Sequence, residues 1–389
     1  MRRVRNYIFL KDVFLLSLSA FGGPPAHLAL YINVLVKKRA YLTEAELIDL
    51  YSFCQILPGP ASTQTLTAIG FKIGGPRLAF LTLLVWILPA VTIMTLGALG
   101  IIYMEHKSLG FAKYIMPISV GFIAFAAYRI CATVVNTRTA VTILIIASVS
   151  SYWINNPAIF PIVLIFGGVV TALRYKKQPK EEKREPLKIE WANLVLYGSI
   201  FFGAALLGYI THALPIRLFE NFFRNGSLIF GGGQALIALL YKEFVVFKHY
   251  LSREEFLSGY ALLQTLPGPL FSFSAFLGAL SMRGYGLGGQ LLGSLAATAG
   301  IFLPGTILIF FVIRFWDRLK TYRVVRASLE GVNAASAGVV ISTAFILFQP
   351  LEGDIINYLI VAVTFLLLYL TKIPSPFIIG LGVCAGLVF

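Results

Sequence analysis

Charge is scarce in this chain. Of its 389 residues only 13% are Asp, Glu, Lys or Arg, whereas 58% are hydrophobic and the mean hydropathy is +0.82. A water-soluble domain of that size needs a polar surface, so the composition excludes one. Cysteine is equally rare. Cys54, Cys131 and Cys384 stand singly in apolar stretches, without the spacing of a metal site or a disulfide framework, and read as small core residues. Histidine is limited to His27, His106, His212 and His249, scattered along the chain. There is no His-Glu-x-x-His, no Gly-x-Ser-x-Gly, no Walker-type phosphate loop and no cysteine–histidine cluster. Neither an enzyme nor a bound cofactor is therefore expected. Acidic residues number 17 against 32 basic ones, a net charge of +15. The basic residues sit in short loops between apolar segments, where they set membrane orientation rather than bind nucleic acid.

What the chain has in abundance is apolar segments of membrane-spanning length. They lie near 8–34, 46–71, 78–104, 114–135, 139–154 and 157–173, then 193–214, then 225–247, 255–280, 288–313, 327–348, 355–370 and 373–389. Arg2, Arg3 and Arg5 ahead of the first run superficially resemble a signal peptide, but no small-residue cleavage site follows, so the segment is expected to be retained. Residues 174–192 are rich in Lys, Arg, Glu and Pro and read as a basic cytoplasmic linker. The expected organisation is a first repeat over 1–173, the linker 174–192, an intervening helix over 193–214 and a second repeat over 215–389. An odd helix between two six-segment copies turns the second copy upside down. Most loop charges agree: Arg2, Arg3, Arg5 and Lys11 precede the first copy, and Arg314, Arg318, Lys320, Arg323 and Arg326 lie in a late loop of the second. Lys37, Lys38 and Arg39 fall outside in this arrangement, offset by Glu44, Glu46 and Asp49 or else marking a re-entrant segment. The fold class expected is an all-α polytopic membrane protein of two inverted repeats with discontinuous helices and about thirteen transmembrane segments, its N-terminus cytoplasmic.

The repeats announce themselves through glycine and proline. Phe21-Gly22-Gly23-Pro24 recurs as Phe230-Gly231-Gly232-Gly233, and Gln55-Ile56-Leu57-Pro58-Gly59-Pro60 recurs as Gln264-Thr265-Leu266-Pro267-Gly268-Pro269. Both pairs are offset by 209, since 230 less 21 and 267 less 58 agree. Thr43–Glu46 and Ser252–Glu255 each fit a capping box, which starts a helix that Pro58 or Pro267 must then stop. Residues 44–57 extend only about 20 Å against a hydrocarbon core of ~30 Å, so the break falls within the membrane. Pro60 suits the first position of the next half-helix, and Pro25 that of one beginning at Ala26. Each break offers a helix N-terminus, and four together carry about two positive charges without a lysine. Such a site suits a doubly charged oxyanion. Its expected residues are Gly22, Gly23, Pro24, His27, Gln55, Pro58, Gly59, Pro60, Ser62 and Thr63 in one copy. In the other they are Gly231, Gly232, Gly233, Gln234, Gln264, Pro267, Gly268, Pro269, Ser272 and Ser274. Small and hydroxyl residues also serve close helix packing in membranes. For His27 two roles stand open, in the site or as a neutral ring bonding a freed carbonyl. Lys242 and Glu243 follow the second glycine break and are placed at the membrane interface.

Phe-Gly-Gly-Pro followed by Ala26-His27, the doubled Leu-Pro-Gly-Pro and the Phe-Gly-Gly-Gly-Gln of the second half resemble the chromate ion transporter family in its long, two-domain form. The resemblance covers nearly the whole chain. It implies a multi-pass inner-membrane protein that exports chromate and confers resistance, with sulfate as the competing or exchanged anion. Its partners would be that oxyanion and the lipid bilayer, with no nucleic acid; a homodimer is admitted by the pattern but not required by it. A sulfate or other inorganic-anion importer and an anion channel are the alternatives.

Overall fold

The structure, a computed structural model, describes residues 2–21, 23–104, 114–134, 137–154, 156, 158–174, 191–229, 233–313, 323–351, 355–371 and 373–388. Among these residues there is no strand. The helices are α1 (Arg2–Ser17), α2 (Gly23–Tyr31), α3 (Glu44–Ile56), α4 (Ala61–Gly74), α5 (Pro76–Met104), α6 (Ile115–Val134), α7 (Arg138–Trp153) and α8 (Ile159–Ala172). They continue with α9 (Ala192–Thr211), α10 (Leu214–Leu228), α11 (Gly233–Leu240), α12 (Arg253–Thr265), α13 (Phe273–Ser281), α14 (Gly286–Val312), α15 (Arg323–Phe348), α16 (Ile355–Leu370) and α17 (Ser375–Val388). A π-helical stretch extends α2 over Ile32–Lys38 and another extends α11 over Tyr241–Phe247. The two π-helices, and α3 with α12, are separated by 209 residues to the residue. The linker 175–190 and the loops 105–113 and 314–322, whose charges argued for orientation, lie outside the described residues.

Among the described residues five helical stretches are long and apolar enough to cross a membrane: Pro76–Tyr103, Ile115–Ala132, Ala192–Thr211, Arg283–Val312 and Ala327–Phe348. Their outward faces confirm the solvent they are built for. On α9, Val195, Phe202, Tyr209 and Ile210 are each more than 60% exposed, an apolar surface suited to lipid rather than water. The chain is thus an all-helical, polytopic membrane protein.

The helices form two compact units, each drawing on both halves of the sequence. The first comprises residues 1–96, 185–233 and 266–319. In it α14 packs along α10 and α13, with glycines at the crossings: Gly300 faces the Phe219 carbonyl, Gly226 that of Ile301, and Gly278 lies against Gly293. The second comprises residues 97–184, 234–265 and 320–389. There α15 packs against α6, α7 and α8, and Gly331 against the backbone of Gly167. Small residues let helix backbones approach and gain dispersion contacts where lipid removes any hydrophobic advantage.

Two segments read as interrupted spans are folded back instead. In the first unit, Lys72 near the end of α4 bonds Glu46 at the start of α3 across 2.6 Å. Nearer the turn the Cys54 thiol lies beside Thr65 on the opposite limb, and α3 packs along α4. These contacts make α3 and α4 a helical hairpin with residues 57–60 at its tip. Likewise Arg39, just past the first π-helix, bonds Asp12 of α1 at 2.8 Å, and the Tyr41 hydroxyl reaches the same carboxylate at 2.8 Å. A helix continuing from Asp12 to Arg39 would separate them by about 40 Å. The chain therefore doubles back between α1 and α2. Proline and glycine read correctly as breaks, but a break does not state the angle that follows it.

Candidate site at the helix interruptions

Thr43 and Glu46 close the predicted capping box on α3: the Thr43 hydroxyl accepts from Glu46 N–H at 3.3 Å and the Glu46 carboxylate accepts from Thr43 N–H at 2.8 Å. Ser252 and Glu255 do the same for α12 at 3.2 and 2.7 Å. At their far ends both helices stop before Pro-Gly-Pro. Gly59 and Gly268 there adopt φ of 117° and 111°, a region closed to other L-residues without strain.

Those glycines dock on the opposite half of the sequence. Gly59 N–H donates to the Ile229 carbonyl at 2.8 Å, and Gly268 N–H donates to the Ala20 carbonyl at 2.9 Å. Both bonds lie within the first unit, and they are one bond repeated at the 209-residue offset. Ala20 and Ile229 each immediately precede a Phe-Gly-Gly motif, so each Pro-Gly-Pro turn meets the other half's glycine break. The Ala20 carbonyl also accepts from His27 Nε2 at 3.0 Å, which fixes the proton on that nitrogen. His27 Nδ1 is buried without a partner.

The helix starting at each turn is uncapped. Pro60 is the N-cap of α4 and offers no side-chain acceptor; Pro269 plays the same part for the short 3-10 turn Leu270–Ser272 that leads into α13. The N–H groups of Ala61, Ser62 and Thr63 accordingly have no acceptor on the helix. Ser62, Thr63, Gln64 and Thr65 are 4% exposed or less, and so are Ser272 and Ser274. A buried, uncapped helix start calls for an acceptor from elsewhere. Around it, Gln64 Nε2 donates to the Pro58 carbonyl at 2.7 Å, and its Oε1 is left without a partner. Trp86 of α5 donates from Nε1 to the Thr63 hydroxyl at 3.1 Å and sets its edge against His27 at 5.5 Å. The Tyr31 hydroxyl donates to the Ser62 carbonyl at 3.3 Å. The Ser272 hydroxyl donates to the Pro269 carbonyl at 2.7 Å, and Ser274 Oγ is buried and unpartnered.

The first unit thus brings together His27, Pro58, Gly59, Pro60, Ser62, Thr63, Pro267, Gly268, Pro269, Ser272 and Ser274. Pro60 precedes its helix instead of opening it, and α2 begins at Gly23 (φ 76°), ahead of Pro24, rather than at Ala26. Gly22, Gly231 and Gly232 lie outside the described residues; Gly233 opens α11 against Leu270. Gln55 and Gln264 each bond the tyrosine one turn back on their own helix, Tyr51 and Tyr260, and Gln264 and Gln234 belong to the second unit. Trp86 and Tyr31 escaped the sequence reading because nothing local marks an aromatic in an apolar run as a hydrogen-bond donor. Lys242 and Glu243, expected at an interface, are 2% and 1% exposed.

Long apolar spans and paired, buried, uncapped helix starts define a membrane protein built around interrupted backbone. The sequence model of the chromate transporter family matches residues 8–173 and 216–387, and the chain belongs to that family. A probable chromate transport protein of Synechococcus elongatus is 24% identical over 95% of this chain and 92% of its own length. A chromate transport protein of Cupriavidus metallidurans is 24% identical over 95% and 89%. An uncharacterized transporter of Methanocaldococcus jannaschii is 27% identical over 91% and 87%. No solved structure matches the chain.

Proposed function

We propose that this protein is a secondary transporter that carries chromate, a tetrahedral dianion, outward across the inner membrane, with sulfate competing for the same site and no catalysed reaction. The observation that carries this reading is the exchanged pair of glycine hydrogen bonds, Gly59 to Ile229 and Gly268 to Ala20. They hold two uncapped helix starts in one unit, where N–H groups worth about half a positive charge apiece meet an oxyanion without a lysine. Ser62, Thr63, Ser272 and Ser274 supply hydroxyls, and His27 positions the Ala20 carbonyl. Family membership and the names of the relatives support chromate as cargo.

The two halves are inverted about α9, which has no counterpart. The segments numbered thirteen in the sequence then include hairpin limbs beside the five long spans. The N-terminus and the linker lie in the cytoplasm. In a cell negative inside, a leaving dianion moves with the field, gaining ~2.3 kcal/mol per charge per 100 mV. Export thus needs no coupling cation.

Flux of labelled chromate and sulfate into proteoliposomes, with and without an imposed potential, tests the reading. Saturable counterflow, inhibited by the second anion, is expected. Unsaturable electrical current would replace the carrier with a channel, and net accumulation of sulfate inside energised vesicles oriented as in the cell would replace export with import.

A further inference from the structure

Among its described residues the second unit holds a buried cation with no ion-pair partner. Lys242, on the π-helix Tyr241–Phe247, is 2% exposed, and its Nζ has no hydrogen-bond partner. Among the described residues its Nζ lies over the Phe160 ring of α8, whose centroid is 5.7 Å away. The adjacent carboxylate of Glu243 is engaged by Lys248 Nζ at 2.8 Å, and Arg253 Nε donates to the Tyr241 hydroxyl at 3.0 Å. An ammonium stripped of water loses far more than an aromatic face returns. A buried ammonium calls for a partner that restores its lost hydration, and π-helical turns recur at functional sites.

The first half provides an internal control. Position 33, equivalent to 242 at the 209-residue offset, is Asn33, and the position equivalent to Glu243 is Val34. The first π-helix, Ile32–Lys38, forms without either charge. The fold therefore does not require a lysine at this register.

We infer that Lys242 is the charged ligand of a second oxyanion site, in the second unit, separate from the uncapped helix starts. The occupant is a tetrahedral dianion of the sulfate or chromate type, so the inference rests on the transporter reading for its ligand class.

Equilibrium binding of radiolabelled sulfate and of chromate to the purified full chain, as wild type, Lys242→Asn and Lys242→Arg, tests it. Asparagine reproduces the residue of the first half, and an unchanged unfolding midpoint certifies its fold. The wild type is expected to bind at two sites per chain, and loss of a charged hydrogen-bond donor in Lys242→Asn to weaken one of them ~10-fold or more while the other stays unchanged. Lys242→Arg is expected to stay within a few-fold of wild type. Two sites unchanged in Lys242→Asn, or a wild type with a single site that Lys242→Asn leaves unchanged, overturn the inference while leaving transport at the helix starts standing; a wild type that binds neither anion brings down both. Phosphatidylglycerol vesicles separate a lipid headgroup from a free anion. A Lys242-dependent rise in unfolding midpoint with those vesicles, and none with sulfate, overturns the free-oxyanion assignment.

Discussion

At the scale of single residues, the site depends on donors and acceptors that have no alternative. Trp86 is fully buried and its indole N–H has Thr63 Oγ1 as acceptor. Thr63→Val keeps the shape and removes that acceptor, leaving a buried donor unsatisfied at a cost of ~1–3 kcal/mol. Thr63→Ser keeps the oxygen. The valine variant is expected to unfold at lower denaturant in micelles and the serine variant close to wild type; equal midpoints would mean the bond contributes nothing. Gly268 is constrained differently. Its φ of 111° strains any other residue by ~1–3 kcal/mol, and an added Cβ would lie 3.1 Å from Ala90 Cβ. Gly284, where an added Cβ meets nothing within 4 Å, is the matched control. Gly268→Ala should lower stability by that amount and impair transport, whereas Gly284→Ala should do neither.

At the scale of elements, the hairpin tip is the unit that matters. Replacing Pro58, Gly59 and Pro60 with alanine removes both residues that stop the helix and the glycine whose N–H reaches Ile229. Alanine favours one continuous helix from α3 into α4. Membrane insertion should persist, because the apolar segments remain, while chromate flux should fall to background; flux near wild type would separate the tip from the site. The comparison with the sequence is clearest here. The capping boxes were legible because hydroxyl and carboxylate must stand three residues apart to satisfy the first turn. The breaks were legible because proline removes a donor. The fold-back was not, since Lys72–Glu46 and Arg39–Asp12 are contacts between limbs and leave no local pattern. The π-helices were equally silent. Their shared ending is visible only in coordinates: Ala40 and His249 at positive φ, and Tyr41 and Tyr250 N–H groups returning to Leu35 and Phe244. As for the candidate site, the sequence marks the residues that flank prolines, whereas Tyr31 and Trp86, which meet them through space, carry no local mark.

At the scale of the whole molecule, the inversion of the two halves depends on how many times the chain crosses the membrane between equivalent positions. Ala45 and Glu254 are such a pair, both exposed in the first turns of α3 and α12. Between them the hairpin α3–α4 returns to its own side and contributes no crossing. The long spans α5, α6 and α9 contribute three, and α7 with α8 adds two or, as a second hairpin, none. If α10 and α11 fold back as α1 and α2 do, the total is odd. Ala45 and Glu254 then face opposite sides, the first into the cytoplasm with the N-terminus and the second outward. Cysteine labelling checks this in a background where Cys54, Cys131 and Cys384 are replaced by serine. A membrane-impermeant thiol reagent added to intact cells should label Glu254→Cys and spare Ala45→Cys, and inside-out vesicles should reverse the pattern. Labelling of both from one side would make the crossings even. The halves would then be parallel, and the exchanged Gly59 and Gly268 bonds would not be related by an axis in the membrane plane.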